Sequence, residues 1–308
     1  MALIVKNFLF HRVTDSPDPW WPPMRPALFE RIIRYLMRTH EVRPLELLYL
    51  DLPARAPAKP LATISFDDGF ADNSSIAAEI LSRHRCPATF FLVTESITHN
   101  IPTWTYLLDH RLEHTRELLI DVALPGVPDS MRVLRLDEPT RQQTALRFKR
   151  FLKACTAERR RALLTLVAEQ TSDVAIPQVM MSWDDARALH AAGFTIGSHT
   201  STHEMLGSTA DGALIDAELI NSAHTIEREV GRRPRSIAYP VGSYSPLALS
   251  RTEAAGYALG FAVHQRFSVP STESRFAIPR VELYQEPWLR AWLRTTSFSD
   301  HARRWFNR

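Results

Sequence analysis

Cysteine is scarce in this chain: Cys86 and Cys155 are the only two among 308 residues. Two cysteines cannot build the disulfide framework of a small secreted scaffold. Cys86 precedes an apolar run and Cys155 falls in a helical pattern, so both read as small core residues rather than redox or catalytic thiols. Long apolar runs are missing too. No stretch reaches bilayer-spanning length, so no stable membrane insertion is expected. The opening Met-Ala-Leu-Ile-Val-Lys-Asn-Phe-Leu-Phe-His-Arg has no basic region followed by a long apolar stretch and a small-residue cleavage site. It does not read as a signal peptide, and a cytoplasmic location is the expectation. Charge of one sign is also lacking. The net charge is +3 with His neutral and there is no long Lys/Arg run, a balance that does not point to nucleic acid. The densest basic cluster, Arg159-Arg160-Arg161, lies in a helical pattern and is expected on a solvated face. No solenoid-type repeat is visible.

What is present is apolar material, 45% of the chain, enough for a large core. Apolar runs alternate with helical patterns, which favours an α/β architecture. Strands are expected at 2–10, 61–66, 88–93, 194–198, 236–240 and 257–263. Helices are expected at 27–40, 73–84, 212–230 and 246–255, the first with Leu28, Ile32, Tyr35 and Leu36 on one side. Ser182 and Asp185 have capping-box spacing for a helix ending near Gly193. Residues 52–60, rich in Pro and Ala, read as a loop, and the basic end 303–308 as a frayed tail. Between about 98 and 180 the alternation breaks down: 121–138 suits extended chain and 140–170 suits Arg-rich helices. This segment reads as an insertion on the main scaffold.

Three strand ends carry the chemistry. Thr63-Ile64-Ser65-Phe66-Asp67-Asp68-Gly69 places two adjacent carboxylates where an apolar strand runs out. Neighbours on a strand point opposite ways, but at a strand-to-loop junction with a glycine that alternation relaxes. Both carboxylates then reach one pocket, one to bind a metal and one to take a proton; alone, the segment reads equally well as an exposed turn with a helix cap. Gly197-Ser198-His199-Thr200-Ser201-Thr202-His203 sets two histidines four residues apart, also after an apolar strand. Neutral imidazole and carboxylate suit zinc and similar divalent metals, and two His with one Asp leave positions open for water and substrate. Capping or surface histidines are the alternative. Ile237-Ala238-Tyr239-Pro240-Val241-Gly242-Ser243-Tyr244 runs into a Pro/Gly turn whose backbone can aim an N–H into a pocket, although without context an ordinary turn is preferred.

In this order the three segments resemble the polysaccharide deacetylase family, the carbohydrate esterase group with the NodB homology domain. Phe10-His11-Arg12-Val13, Ala88-Thr89-Phe90-Phe91-Leu92, Met181-Ser182-Trp183-Asp184 and Ala277-Ile278-Pro279-Arg280-Val281 resemble further family segments. The likeness covers most of 8–96 and 180–285. It implies an α/β fold, a distorted (β/α) barrel with fewer strands than a TIM barrel, with the site at the C-terminal strand ends. It implies one catalytic domain over 1–308 with a helical insertion at about 98–180. It implies removal of an N-acetyl group from an amino sugar, with a divalent metal, Zn²⁺ foremost, as cofactor and a carbohydrate as partner. Carried over, Asp68, His199 and His203 bind the metal, Asp67 is the general base, and the Val241 backbone amide supplies an oxyanion contact. His11 lines the pocket and Tyr244 is a substrate contact.

Two family features are displaced. Many members have Arg two residues before the motif proline, where Ala238 stands here, and Arg280 is the candidate replacement as tether of Asp67. The late Leu-His motif that carries the catalytic acid is not found, and His264 is the candidate substitute. Trp20, Trp21, Trp104, Tyr106 and Tyr244 are expected in loops, where aromatic faces stack on sugars. Two other functions stay open: a deformylase on a lipid-linked amino sugar, and a catalytically weak glycan-binding protein.

Overall fold

The structure, a computed structural model, describes residues 3–53 and 57–296. The tail at 303–308, part of the 52–60 loop and the first residue of the expected 2–10 strand lie outside the described residues. The strands are β1 (Val5–Phe10), β2 (Glu41–Val42), β3 (Leu61–Phe66), β4 (Thr89–Leu92), β5 (Leu119–Asp121), β6 (Val133–Arg135), β7 (Thr195–Ser198), β8 (Ser236–Ala238), β9 (Leu259–Val263) and β10 (Ile278–Glu282). The helices are α1 (Pro26–Thr39), α2 (Leu45–Leu50), α3 (Ala78–Arg83), α4 (Thr94–His99), α5 (Trp104–His114), α6 (Arg141–Ala154), α7 (Ala157–Gln170), α8 (Trp183–Ala191), α9 (Gly212–Val230), α10 (Pro246–Ala254) and α11 (Trp288–Thr295).

Seven parallel strands close into a barrel in the order β1-β10-β9-β8-β7-β4-β3, because β1 also pairs with β3 along its whole length, from Val5↔Leu61 to Phe10↔Phe66. The two-residue β2 adds to β3 outside the ring. Every residue of β1 and β3 is buried, so neither strand shows the alternation of a half-exposed one, and the polar Lys6, Asn7, Thr63 and Ser65 are buried with the apolar residues. Outside the ring, Phe10, Phe66 and Phe90 stack at 5.4 and 5.0 Å and receive Phe29 of α1 edge-on at 5.1 Å from Phe10. The inward face of α1 is Phe29, Ile32, Ile33 and Leu36, with Leu28 and Tyr35 at its margins, a small rotation from the expected stripe. Inside the ring, Asn7 donates to the Pro279 carbonyl at 2.9 Å and accepts from Thr63 Oγ1 at 2.8 Å. The N-terminal end of the barrel is plugged by Leu45 and Tyr49 of α2.

Sequence signals and elements agree closely where caps are strong. Both hydrogen bonds of the Ser182–Asp185 capping box are present. Asp211 caps α9, and Gly231, at φ 81°, ends it. The 73–84 helix begins with a π-type turn over Asn73–Ala77.

The insertion is a hairpin (β5, β6) and the helices α5, α6 and α7 around a core of its own, including Leu108, Leu112, Ile120, Phe148, Leu152 and Leu163. Cys155 belongs to this core and Cys86 to the barrel's outer core, both as buried free thiols. Trp104 and Tyr106, expected in a loop, lie in the first turn of α5. Arg160 corrects the expectation for Arg159-Arg160-Arg161. It is 1% exposed, pairs with Glu204 and lies over the Trp104 ring at 5.5 Å. A helix turns by about 100° per residue, so three consecutive arginines cannot all face solvent on a packed helix. The inward one docks the insertion onto the loop after β7. Among the described residues, no helix is long and apolar enough to cross a membrane.

Candidate active site

All three motifs open into one cavity of about 200 Å³ at the C-terminal end of the barrel. The backbone bends sharply there. Asp68 (φ 75°), Thr200 (φ 67°), His203 (φ 62°) and Val241 (φ 57°) all adopt left-handed conformations unusual for residues with a Cβ. Each costs on the order of 1–3 kcal/mol and persists only where the surroundings enforce it. The reversal at Asp68 is what turns two successive carboxylates to the same side. Gly69 follows at φ 86°, where a Cβ would sit 3.0 Å from Ile97 Cδ1.

Asp68 Oδ1 lies 3.5 Å from His199 Nε2 and 3.4 Å from His203 Nε2. One ligand atom from each residue falls within 4.8 Å of the other two. His199 Nδ1 is 2.8 Å from the Ala238 carbonyl, which can only accept, so the ring proton is on Nδ1 and Nε2 presents a lone pair. The loop carrying His203 is fixed by Glu218 of α9, which accepts from the Ser201 and Thr202 amides at 2.9 Å each and from Thr202 Oγ1 at 2.6 Å. Trp104 Nε1 donates to the His203 carbonyl at 3.2 Å. Burial, then neighbouring His199, push the His203 imidazole well below its ordinary value, keeping it in the neutral, ligating form. Burial raises the Asp68 carboxyl. Its Oδ1 has no hydrogen-bond partner although it is sealed from solvent. An orphaned buried carboxylate oxygen beside two imidazole Nε2 atoms is the donor set of a divalent cation, so these residues fit the metal that the resemblance implies.

Beside the trio, Arg280 Nη1 and Nη2 donate to Asp67 Oδ1 and Oδ2, both at 2.7 Å, and Nη1 reaches Ser65 Oγ at 3.3 Å. Burial opposes a charge on Asp67, but the Arg280 guanidinium and then His199 hold the carboxyl below its ordinary value. Arg280 therefore lies where a tether for Asp67 must lie, and Ala238, at the usual Arg position, packs against the barrel interior. Val241 lines the cavity.

His11 also lines it. Its Nδ1 is 3.2 Å from Glu282 Oε1, and Asn73 Nδ2 donates to its carbonyl at 2.6 Å. The adjoining Arg12 and Val13 are tied to Asp72, which fixes this segment against the turn after Asp67-Asp68-Gly69. Burial works against a charge on His11, but Glu282, with Asp68 and Asp67, outweighs it and brings the imidazole up to about 9.

His264 and Tyr244 are placed elsewhere. Val263 faces the cavity, so its strand neighbour His264 points away, as alternation requires. His264 Nε2 instead meets Tyr244 Oη at 3.0 Å, and Tyr244 packs on Tyr239; neither residue lines the cavity. Of the other aromatics, Trp21 and Tyr106 line it, while Trp20 and Trp104 pack against the insertion core. Four charged lining residues carried no sequence signal: Glu282 from β10, Asp109 from α5, and Lys149 and Lys153 from α6.

Comparison with known proteins agrees with this fold. The family profile described as polysaccharide deacetylase matches residues 54–260. The deacetylase PplD of Streptococcus pyogenes superposes with a TM-score of 0.64 at 14% identity, over 96% of this chain and 99% of that one. IcaB of Ammonifex degensii gives 0.60 at 16% identity, over 96% and 99%. BC0361, a polysaccharide deacetylase of Bacillus cereus, gives 0.59 at 14% identity, over 96% and 69%. At these identities the likeness establishes a shared barrel. A gellan lyase of a Bacillus species is 46% identical over 57 residues, and this chain spans only 2% of that protein's length. The family match covers more than half of the chain, and the closed seven-strand barrel is the fold of these neighbours: the chain belongs to the polysaccharide deacetylase family.

Proposed function

We propose that this protein is a metal-dependent hydrolase that removes an N-acetyl group from an amino sugar of a glycan or glycan precursor. The observation that carries this reading is the buried Asp68–His199–His203 trio directly beside the Arg280-held carboxylate of Asp67. Asp68, His199 and His203 would hold the metal. A divalent cation bound there supplies Lewis acidity, making a water more acidic and an amide carbonyl more electrophilic.

The chain's own residues supply the rest. Asp67 is ionised at neutral pH, because its carboxyl is held low. It takes the proton of the attacking water as the new C–O bond forms at the acetamide carbon. The bidentate Arg280 contact fixes the plane of the carboxylate, so that proton transfer starts from an aligned geometry. Val241, on its left-handed turn, presents backbone where charge develops on the carbonyl oxygen. His11 is held cationic by Glu282, and among the described residues no hydrogen bond engages its Nε2. It gives a proton to the amide nitrogen as the C–N bond breaks, releasing acetate and a sugar amine. This assigns to His11 the acid role expected of His264.

A glycan suits the surface around the site. A second cavity of about 200 Å³ shares Trp21, Tyr106 and Asp109 with the first and continues the cleft outward past Asp18 and His110. With Arg280 supplying the guanidinium that position 238 lacks, turnover is favoured over a purely glycan-binding role. The test is release of acetate, and separately of formate, from a panel of N-acylated amino-sugar oligosaccharides after chelation and reloading with zinc, cobalt or manganese. Metal-restored acetate release is expected. Formate in its place would make the protein a deformylase, and no release of either acid would overturn the hydrolase reading.

A further inference from the structure

The ionised groups of the cavity pair off with two exceptions. Asp67 is held by Arg280, Glu282 by His11, and Asp109 by Lys149. The exceptions have opposite signs. Asp68 stands with two imidazoles, a set that a bound cation would complete. Lys153 lines the same cavity, half-buried, and among the described residues its ammonium has no hydrogen bond and no ion pair. Only four of the chain's 37 basic residues are lysines, and two of those four, Lys149 and Lys153, stand one helical turn apart on the α6 face that walls this cavity.

The carboxylates within electrostatic reach of Lys153, Asp109 and Glu282, are each already engaged. A half-buried ammonium in a cavity wall with no counter-charge of its own is placed to meet an anionic partner. Asp109 adds a second polarity to the same wall, because its Oδ1 is sealed from solvent and has no hydrogen-bond partner. Trp21 and Tyr106 line the same cavity and supply aromatic surface for a sugar ring.

We infer that the substrate carries an oxyanion, a phosphate or a carboxylate, next to the N-acylated sugar, and that Lys153 is its anchor. The inference rests on the amide-hydrolase reading for the sugar being processed. The anion site itself is a matter of binding and is tested without turnover.

The experiment is calorimetric titration of the protein as purified with three probes: N-acetylglucosamine 1-phosphate, N-acetylmuramic acid, and the neutral methyl glycoside of N-acetylglucosamine. The phosphate or the carboxylate probe is expected to bind about tenfold tighter than the neutral one, as one partly desolvated charge-assisted contact warrants. Whichever leads identifies the source of the oxyanion. In Lys153→Met the ratio should fall to about one. In Lys153→Arg, which keeps the charge and controls for folding, it should survive. A ratio near one in the unaltered protein, including no binding of any probe, overturns the inference. So does a ratio unchanged in Lys153→Met, which would place the anion elsewhere, for instance at the metal trio. A protein that passes this test but releases no acyl group would refute the hydrolase reading and leave the anion site standing.

Discussion

Arg280 and Asp67 meet as two parallel forks, Nη1 on Oδ1 and Nη2 on Oδ2 at 2.7 Å each, with the guanidinium fully buried. Arg280→Ala strands a carboxylate in the barrel mouth. Losing one partner of such a pair costs about 3–5 kcal/mol of stability. Misaligning the base should lower kcat by about 10²-fold. The Asp67 carboxyl lies below its ordinary value in the folded protein, so the pair stabilises the fold above the unfolded carboxylate range, and that contribution is lost as pH falls through the lowered folded value. Removing Arg280 raises the carboxyl, so the acidic limb of kcat/KM should move to higher pH. A pH–rate profile of the variant checks the direction.

Asp67→Asn should separate proton transfer from metal binding. Turnover is expected to drop by about 10²–10⁴-fold while elemental analysis finds the metal of the unaltered protein. His203→Ala should do the reverse to the metal, removing one of three ligands from a folded barrel. Equal metal content in His203→Ala and the parent would take His203 out of the site.

Glu282→Gln tests the acid. Glu282 lifts His11 to about 9, and an acid works only while protonated. Without that charge the imidazole falls toward its ordinary value of about 6.5, so the alkaline limb of kcat/KM should move down. A bound divalent cation adds positive charge nearby and lowers the limb in both proteins, leaving the sign of the difference unchanged. The stabilising share of the His11–Glu282 pair is present below about 6.5 and lost as pH rises through about 9. An alkaline limb identical in the two proteins would exclude His11.

Arg160→Met leaves Glu204 buried without its counter-charge, and a loss of about 3–5 kcal/mol is expected in urea denaturation. Pairing it with Glu204→Leu should restore much of that loss, because the uncompensated charge is then gone. Failure of the double variant to recover would mean that Arg160 acts mainly through its other contacts, the Trp104 ring, the Leu152 and Cys155 carbonyls and Ser208.

The barrel was legible in the sequence wherever a strand was apolar on both faces and ended in a residue with a chemical job. Asp67-Asp68-Gly69, His199, His203 and Val241 stand at such ends, and each motif is local in the chain. Arg280 was readable only as the answer to a gap at Ala238. The insertion side of the cavity was not readable. Asp109, Lys149 and Lys153 meet because α5 packs against α6, and helical periodicity says which residues share a face without saying what that face meets. His264 shows the limit of a strand end as a signal, since one residue of register separates a ring inside the cavity from one bonded to Tyr244.

The cavity is shared between two hydrophobic cores, one filling the barrel and its shell and one filling the insertion, with Arg160 and Trp104 at the seam. Asp67, Asp68, His199, His203 and His11 are rooted in the first, and Asp109, Lys149 and Lys153 in the second. Reaction and recognition are therefore separable by grafting. Exchanging the whole segment between Asn100 and Met180 for that of another barrel of this kind, with the Arg160–Glu204 contact preserved, should retarget the protein to a different sugar while the scissile bond stays the same. Single substitutions on α6 would instead tune how strongly one chosen sugar is held.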